Sequence, residues 1–560
     1  MITPPFPRTF FSLKNLKFGV LASLTITVLN CCTAFAVLLP LDGPKTFKND
    51  EAFLDYVQSQ TFRYFWDEAN PTNGLIRDRS ASYSPCSIAA VGFGLSAIDV
   101  GVERGWITRP EGRERTLTTL STLYNLPQGP DRHKVAGYHG WFYHFLDMNT
   151  GLRAGHSELS TIDTTLLMMG VIDAGQFFND PTNSSEKEIR HLSDSLVSRI
   201  DWSFMLQSND NVMNMEWCPE YGYGSARWVG YNEASCLYLL GLGAGTNGLP
   251  ADFWERWTKG YQWTKYHDYN FVTEPSLFTH QYSQVWIDFR GIADSYMRTK
   301  GSDYFENSRQ ATLAQRHYAS LNPQRYPNYG TNEWGFTACD GPGRTISGTT
   351  YLGYRARGAP NGFEDGTIAP TAAGSSLPFA PDVCLAALRH FYDSYRTNLW
   401  TTEGFRDAYN VRANWWGSDV IGIDQGPIVL MAENYRTGST WSRMLNSPII
   451  QRGLQRAGFT APPPDRLKAR VTGANEIELS WRDNSAYETG FEVEYSTNKV
   501  TFSKIATLGP DTTKAKVTLP PGAEYQFRLR TISPAGLSGY RETVGVSLQT
   551  VAAALSKAGG

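Results

Sequence analysis

Hydrophobic positions along the first 460 residues recur with a helical period. In Phe53–Glu68 the large apolar side chains fall three or four positions apart and form one stripe on a helix. The same spacing predicts helices over Ile162–Gln176, Ser193–Phe204, Glu233–Leu242 and Asp382–Tyr395. At a usual helix length of about 11–12 residues, such a region holds about a dozen helices with loops between them. We therefore predict a mainly α fold that fits a toroid of helix pairs in an inner and an outer ring, although periodicity alone does not separate it from other all-α arrangements.

The pattern changes to alternating apolar and polar residues after Pro462-Pro463-Pro464. Ile477–Trp481, Phe491–Tyr495 and Tyr525–Arg530 each alternate and are separated by turn residues, which predicts strands. This stretch is long enough for a small all-β sandwich, and it resembles a fibronectin type III module. We therefore predict three parts: a signal peptide at 1–36, a helical domain at 45–460 and a fibronectin type III-like domain at 465–551.

The N-terminus has the composition of a secretory signal. Basic residues up to Lys17 precede the apolar run Phe18–Leu29, and Ala34-Phe35-Ala36 fits a small-x-small cleavage site. The apolar run is short for a membrane-spanning helix, and no later run is longer. We predict a secreted or periplasmic protein without a transmembrane span. A lipid anchor on Cys31 at the cell surface is an open alternative, although Asn30 is an awkward residue before a modified cysteine.

Composition narrows the chemistry further. A formal net charge of −3 over 560 residues gives no general attraction to nucleic acid or to an anionic membrane, and we expect a monomer. The five cysteines after the N-terminal segment have no CxxC spacing and no histidine at metal-ligand intervals, so we predict no metal and no cofactor. Buried thiols and one disulfide are both compatible. Aromatic residues make up 13% of the chain and fit either a large core or rings that stack on sugars.

Three acidic residues, Asp163, Glu233 and Asp424, each stand at the start of an apolar helical run. Asp424 lies between Gly422 and Gly426, which leave its carboxylate open, and the following helix N-terminus favours its ionised form. An open, ionised carboxylate suits a base that activates water. The structural alternative is that Asp424 is the N-cap of that helix.

Glu233 lies in a segment rich in Trp and Tyr. Apolar walls raise the pKa of a carboxyl, as a general acid near neutral pH requires. The structural alternative is a first-turn acid after an Asn232 N-cap, and Glu216 is the nearest competitor for the acid role. Asp163 has its own structural interpretation, a capping box with Ser160, which is compatible with a place at the rim of a toroid.

Aromatic and hydrogen-bonding residues in the loops are candidates for sugar binding. The Gly/Tyr/Trp-rich loops Trp217–Gly230 and Thr331–Gly358 are too long for simple connections, and long ordered loops usually carry function. Separated carboxylates on an aromatic-lined rim are what glycoside hydrolysis needs. The candidate substrate-binding residues are Trp141, Glu158, Trp228, Tyr231, His280, Gln281, Trp286, Asp365 and Asp407.

Five specific segments follow one another along the chain: Ser160–Gly170, Gly230–Gly243, Leu277–Gly291, Gly404–Asn410 and Ile421–Arg436. Together they resemble the glycoamylase-like domain of glycoside hydrolase family 144, over about residues 53–459. The resemblance implies an alpha/alpha six-fold toroid that acts on β-1,2-linked glucan, internally or by releasing sophorose, with inversion at the anomeric carbon. It also implies that Glu233 is the general acid, that Asp424 is the general base and that Asp163 binds sugar hydroxyls or the attacking water.

Other functions stay open at the level of sequence. A polysaccharide lyase would need Arg and Lys to neutralise a uronate, whereas the aromatic loops contain more acids than lysines, which favours a neutral sugar. A non-catalytic glycan-binding protein at the cell surface would use the same aromatic residues but would not need both Glu233 and Asp424. A phosphorylase fits less well because the chain has no phosphate-binding loop motif.

Overall fold

The computed structural model describes residues 45–207, 212–485, 487–541 and 543–548; the predicted signal peptide lies outside them. The α-helices are α1 (Asp50–Asp67), α2 (Ile88–Glu103), α3 (Arg109–Asn125), α4 (Thr161–Phe177), α5 (Ser184–Ser198), α6 (Ser235–Gly243), α7 (Phe253–Thr258), α8 (Phe278–Gln281), α9 (Ser295–Lys300), α10 (Tyr304–Leu321), α11 (Pro370–Gly374), α12 (Pro381–Leu399), α13 (Gly422–Arg436), α14 (Ser439–Leu445) and α15 (Pro448–Arg456). Short 3₁₀ helices cover Trp202–Met205, Gly245–Asn247 and Tyr282–Val285. Among the described residues, no helix combines the length and apolarity needed to cross a membrane.

The helices form an inner and an outer ring. The inner ring consists of α2, α4, α6, α8 with the 3₁₀ helix that follows it, α11 and α13, and these helices are buried on nearly all sides. Outer helices such as α5 and α12 bury one face only. This difference follows from the sequence, because a helix that is apolar all round must be enclosed by others. The structure confirms the predicted helical toroid.

Side-chain hydrogen bonds join the inner helices that pack less extensively. The backbone N–H of Cys236 in α6 donates to Ser283 Oγ of the 3₁₀ helix (3.0 Å). The amide of Gln281 in α8 donates to the carbonyl of Ala372 in α11 (2.8 Å). These bonds hold short helices in the ring that could not be stable alone, since isolated short helices are marginal in water.

The ring closes through α13, which packs between α11 and α2. Thr371 Oγ1 of α11 donates to the carbonyl of Asp424 in α13 (3.1 Å). On the other side, α2 and α4 meet at two glycines: a Cβ on Gly170 would come within 1.9 Å of the Gly92 carbonyl oxygen. Only glycine permits this approach of two helix backbones.

The outer helix α1 is tied to the last inner helix. The Gln58 amide donates to the carbonyl of Val429 (3.0 Å) and to Glu433 Oε2 (3.0 Å). Arg104, which follows α2, donates to both oxygens of Glu433 (2.6 and 2.9 Å). The beginning and the end of the helical region are therefore held by the same buried carboxylate.

Short strands lie in the segments between the helices of the toroid. They pair Cys86–Ser87 with Phe145–Leu146, Gly137–Tyr138 with Trp141–Phe142, Trp263–Tyr266 with Tyr269–Val272, Ala338–Cys339 with Arg355–Ala356, Thr345–Ile346 with Thr349–Thr350, and Trp400–Thr401 with Gly404–Phe405. Two three-stranded groups join Leu159–Ser160, Glu216–Cys218 and Gly222–Tyr223, and Thr367–Ile368, Tyr409–Asn410 and Trp415–Trp416. Several of these pairs lie directly before inner helices, so they position the starts of those helices.

The C-terminal part is a two-sheet β structure. One antiparallel sheet contains Asp465–Gly473, Glu476–Arg482 and Lys514–Thr518, and the other contains Gly490–Ser496, Ser503–Leu508, Ala523–Ser533, Gly536–Leu537 and Thr543–Leu548. Trp481, Phe491 and Phe527 lie in the core between them. The Tyr525 hydroxyl donates to the carbonyl of Pro520 (2.7 Å), a tyrosine corner of the kind found in immunoglobulin-like sandwiches.

Several local predictions need adjustment. The helix predicted over Ser193–Phe204 begins earlier and ends at Ser198, because Asn183 caps α5 and Asp201 caps the next 3₁₀ helix. The helix α13 begins at Gly422, so Asp424 lies in its first turn and is not the N-cap. All five cysteines in the described residues are buried free thiols, so the disulfide alternative is not realised there.

Candidate active site

Asp163 lies in the first turn of α4 and is held from two sides. Ser160 Oγ accepts from the Asp163 backbone N–H (3.2 Å), which confirms Ser160 as the N-cap, and it donates to Asp163 Oδ2 (2.5 Å), so that the Asp163 carboxylate bonds the Ser160 hydroxyl and not the backbone N–H that a capping box requires. The imidazole of His144 places Nε2 3.6 Å from Asp163 Oδ1 and Nδ1 2.8 Å from Glu158 Oε1. Burial alone would lower the pKa of His144, but the charges of Asp163, Glu158 and Asp78 outweigh it and raise the pKa to about 9. His144 is therefore a cation at neutral pH that binds both acids.

Glu233 lies two residues before α6 and is half-buried. Its backbone carbonyl accepts a hydrogen bond from Ser283 Oγ (2.8 Å), which attaches it to the next inner helix. Burial raises the pKa of Glu233 to about 7, and the carboxylates of Glu274 and Asp163 contribute to the rise. A carboxyl that keeps its proton near neutral pH is suited to protonate a leaving oxygen.

Asp424 is only 5% exposed and faces a second carboxyl group. Its Oδ2 is fully buried and has no hydrogen-bond donor among the described residues, and the carboxyl of Asp407 lies near enough for a hydrogen bond between the two side chains if one of them is protonated. Burial and the negative charge of Asp407 raise the pKa of Asp424. The prediction that the helix N-terminus keeps Asp424 ionised is therefore wrong, because burial and the negative charge of Asp407 outweigh the helix dipole.

A network around one arginine supports the Asp407 carboxyl. The backbone N–H of Asp340 donates to Asp407 Oδ2 (2.8 Å). Arg79 in turn binds the Asp340 side chain (2.9 Å), and it also contacts Asp78 (3.3 Å) and Asp419 (3.5 Å). The Arg79 guanidinium thus offsets part of the negative charge of the carboxylates at the rim.

The ring of Tyr282 shows that the predicted catalytic acids converge. Its hydroxyl donates to the carbonyl of Ile423 (3.2 Å). Burial raises the pKa of Tyr282 well above its usual range, and the negative charges of Asp424, Glu233 and Asp163 all add to the rise. These three carboxylates come from distant parts of the sequence, yet the charge of each raises the pKa of the same phenol. They therefore lie near one another at one rim of the toroid.

The exposed loop 340–354 lies beside these acids. Its base is closed by the pairing of Cys339 with Arg355, so Tyr354 stands next to Asp340. Tyr354 is 65% exposed. Its hydroxyl nevertheless lies close enough to Glu233 and Asp424 to interact electrostatically with both. An exposed aromatic ring in this position offers a flat face to a sugar.

The buried side chain of Arg357 fixes the ends of this loop. It donates to the carbonyls of Cys339 (2.8 Å), Asp340 (3.3 Å), Leu352 (3.4 Å) and Gly353 (3.2 Å). Both oxygens of Asp365 accept from the same guanidinium (2.9 and 3.0 Å). The prediction that Asp365 binds substrate needs correction, because this pairing occupies its carboxylate.

Four further candidates for substrate binding lie in the helical core. Trp141, Trp286, His280 and Gln281 are at most 1% exposed. The two indole N–H groups and the Gln281 amide donate to internal acceptors, and His280 hydrogen-bonds a backbone carbonyl. Burial also lowers the pKa of His280 to about 4, so it is neutral. The substrate-binding prediction is wrong for these four residues, because side chains without exposed surface cannot touch a sugar.

The remaining candidates border the rim. Glu158 is the partner of His144 described above, and Asp407 is the partner of Asp424. The Trp228 indole donates to Thr161 Oγ1 (2.8 Å) at the start of α4. Tyr231 is largely buried against Tyr261 and Tyr304. A direct role for these residues in substrate binding stays a prediction.

Sequence reasoning missed four residues of this site: Arg79, His144, Asp340 and Tyr354. Asp340 stands directly before Gly341, and Asp424 stands two positions before Gly426. An acid close to a glycine in a long loop was therefore a signal that could have identified Asp340 as a site residue. Arg79 and His144 lie in irregular segments between helices, where no periodicity marks them.

Comparison with known proteins identifies relatives of both parts of the chain. The family model described as "Putative glucoamylase" matches residues 225–448, and the fibronectin type III domain model matches residues 462–546. The exo β-1,2-glucooligosaccharide sophorohydrolase (non-reducing end) of Parabacteroides distasonis is 31% identical over 441 residues, which cover 73% of this chain and 58% of that protein. The chain thus spans less than two thirds of that curated relative's length.

Solved structures extend the likeness over the whole toroid. The endo-β-1,2-glucanase of Chitinophaga pinensis, in complex with sophorotriose and glucose, has 30% identity and a TM-score of 0.65, covering 74% of this chain and 99% of that one. The structure of "a putative glucoamylase" from Bacteroides uniformis has 34% identity and a TM-score of 0.68, covering 75% and 99%. The chain therefore belongs to the glycoamylase-like enzymes of glycoside hydrolase family 144 and carries a C-terminal fibronectin type III domain.

Proposed function

We propose that this glycoside hydrolase cleaves β-1,2-linked glucan or its oligosaccharides with inversion at the anomeric carbon. The relatives named above act on such chains according to their names. The proposal rests on two observations: Glu233 and Asp424 both lie near the Tyr282 side chain, and burial raises the pKa of Glu233 to about 7. One carboxyl that keeps its proton and another that can accept one are the two groups that an inverting glycosidase requires.

In this mechanism Glu233 donates its proton to the glycosidic oxygen while the bond from that oxygen to the anomeric carbon breaks. Water attacks the anomeric carbon from the opposite face and gives its proton to Asp424. The positions of Asp163 and His144 at the same rim suit them to bind sugar hydroxyls. No step requires a metal or an organic cofactor.

The charge of the rim favours a neutral sugar over the lyase alternative. Asp78, Asp163, Glu233, Asp340 and Asp424 gather there, whereas Arg79 is engaged with three carboxylates. A uronate would meet mostly negative charge. A purely binding protein would not need a carboxyl with a pKa near 7 on the same rim as a second buried carboxyl, a combination that suits acid–base catalysis.

The function is tested by the products formed from linear β-1,2-glucan, compared with linear β-1,3- and β-1,4-glucans. We expect sophoro-oligosaccharides from the first substrate alone, with the new reducing end appearing first as the α-anomer by proton NMR. An initial β-anomer would refute inversion. Unsaturated products would instead support a lyase, and binding without products a lectin-like role.

Activity is expected to fall as the pH rises through about 7, because Glu233 must be protonated to act and burial raises its pKa to about that value. The measurement is kcat/KM for a sophoro-oligosaccharide over a pH series. A rate that stays constant well above neutrality would argue against Glu233 as the acid.

Replacement of Tyr354 by Ala is expected to raise KM by about 2- to 10-fold with little change in kcat, as expected for loss of one aromatic stacking contact. Y354F keeps the ring and should behave like the wild type. Tyr435, 41% exposed near the C-terminal end of α13, provides a control in Y435A. Equal effects of Y354A and Y435A would contradict a sugar platform at Tyr354.

We also propose that the chain is exported, because residues 1–36 have the features of a signal peptide. N-terminal sequencing of the protein recovered from the producing cells should find it beginning at Val37. A lipid-modified N-terminus at Cys31 would support the anchored alternative.

A further inference from the structure

The two carboxyl groups of Asp424 and Asp407 cannot be treated separately. Asp424 Oδ2 and Asp407 Oδ1 are both fully buried, and neither has any hydrogen-bond donor among the described residues. Two ionised carboxylates in that position would leave two buried oxygens without a partner, which is costly. A single proton between them satisfies both oxygens at once.

The remaining two oxygens of the pair have different roles. Asp407 Oδ2 accepts the backbone N–H of Asp340 and is thereby fixed. Asp424 Oδ1 accepts no hydrogen bond from the residues that the structure describes and is not fully enclosed, and the residue keeps 5% exposure. Asp424 Oδ1 is therefore the oxygen of the pair that is open to a substrate or a water molecule.

We propose that the base of this enzyme is the pair Asp407–Asp424 with one shared proton, in which Asp407 is a positioning residue that sets the protonation state of Asp424. The inference rests on the proposed function and goes beyond it by replacing a lone base with a dyad. Two acidic groups that share a proton in this way titrate as a unit.

Before attack the dyad carries one proton, between Asp424 Oδ2 and Asp407 Oδ1, and one negative charge. The attacking water forms its bond to the anomeric carbon and transfers one proton to Asp424 Oδ1, so that the dyad becomes neutral. Glu233 gives its proton to the leaving oxygen as the glycosidic bond breaks. Product release allows the dyad to return that proton to solvent and Glu233 to regain one.

Charged and titratable groups from every neighbouring element face the dyad and influence its titration. They are Asp78, Arg79, Asp340, Cys339, Tyr282, Tyr354 and Glu233. Arg79, bound to Asp340, is the cation that favours a negative dyad. The acids on the other sides oppose it, which explains why the pair retains a proton.

The variant D407N tests the dyad directly. Its side-chain oxygen can keep the bond from the Asp340 N–H, and its amide N–H then points at Asp424 Oδ2 in place of the shared proton. In the singly charged dyad Asp407 acts as a neutral donor, and the amide of D407N is likewise a neutral donor, so Asp424 ionises and no carboxyl proton remains between the two side chains. We expect D407N to lose an infrared band of a protonated carboxyl that the wild type shows at neutral pH, while the acidic limb of the pH profile of kcat/KM stays within about one pH unit and activity at the optimum is retained within about tenfold.

A protonated-carboxyl band that persists unchanged in D407N would assign Asp407 a merely structural role and overturn the dyad. If D407N does not fold, infrared spectra of wild type and D424N at neutral pH decide: the wild type should show a protonated carboxyl band that D424N lacks. Absence of that difference overturns the proposal. Full activity of D424N would instead refute the proposed catalytic roles themselves, independently of Asp407.

Discussion

Replacement of Glu233 by Gln is expected to lower kcat on β-1,2-glucan by about 10²- to 10⁴-fold, the usual contribution of a general acid. Glutamine has nearly the same shape and keeps the backbone carbonyl that accepts from Ser283, so the rim should stay intact. KM should change little, because the lost interaction is needed only when the leaving oxygen gains charge. Steady-state kinetics on purified variants would measure both constants.

A matched control exists in Glu403, whose pKa burial also raises to about 7 but which faces Glu68 and Asp67 at the end of α1. E403Q should leave kcat within about twofold of the wild type, as expected for a residue outside the chemistry. An activated aryl sophoroside adds a second control, since its leaving group needs no proton and E233Q should cleave it far better than glucan. An equal loss on both substrates would show that Glu233 is not the acid.

Replacement of Asp424 by Asn is expected to be of comparable severity, about 10²- to 10⁴-fold in kcat. The amide cannot take the proton of the attacking water, and the Asp407 carboxyl then meets an amide where it had shared a proton. The helix should survive, because the Thr371 hydroxyl bonds the backbone carbonyl of residue 424 and not its side chain.

The control for this change is Asp382, an acid in the first turn of the outer helix α12. D382N alters a helix N-terminus in the same way, outside the inner ring, and should leave kcat unchanged. Near-ultraviolet circular dichroism would show that both variants keep their tertiary packing. Retained turnover in D424N would require another base, and Asp163 would be the next residue to test.

The sequence predicted most of the architecture because both parts of the chain have strong periodicity. Apolar stripes located α1, α4, α6 and α12, although they did not single out α2, α3 or α10, and the alternation after Pro464 located strands of the C-terminal part. The three acids were also found, because each begins a run that is apolar on all sides, and such runs become inner helices. Helix starts on one inner ring then share one rim, which brings Asp163, Glu233 and Asp424 together.

What the sequence could not supply was the surroundings of each group. Whether Trp286 faces the core or the rim depends on a rotation of its helix that local patterns do not fix. The state of Asp424 depends on Asp407 and Asp340, which reach it from separate loops. Helix-dipole reasoning used only the local chain and therefore predicted the wrong direction of the pKa shift.

The bonds that Gln58 and Arg104 make with Glu433 also have a consequence for biosynthesis. Translation delivers α1 and α2 first, yet their partner α13 ends only at Arg436. A nascent chain therefore exposes the apolar surfaces of its first helices until nearly the whole toroid has left the ribosome. Contacts so distant in sequence slow folding, and a chain that stays open this long remains accessible to chaperones and to any machinery that transports unfolded polypeptides.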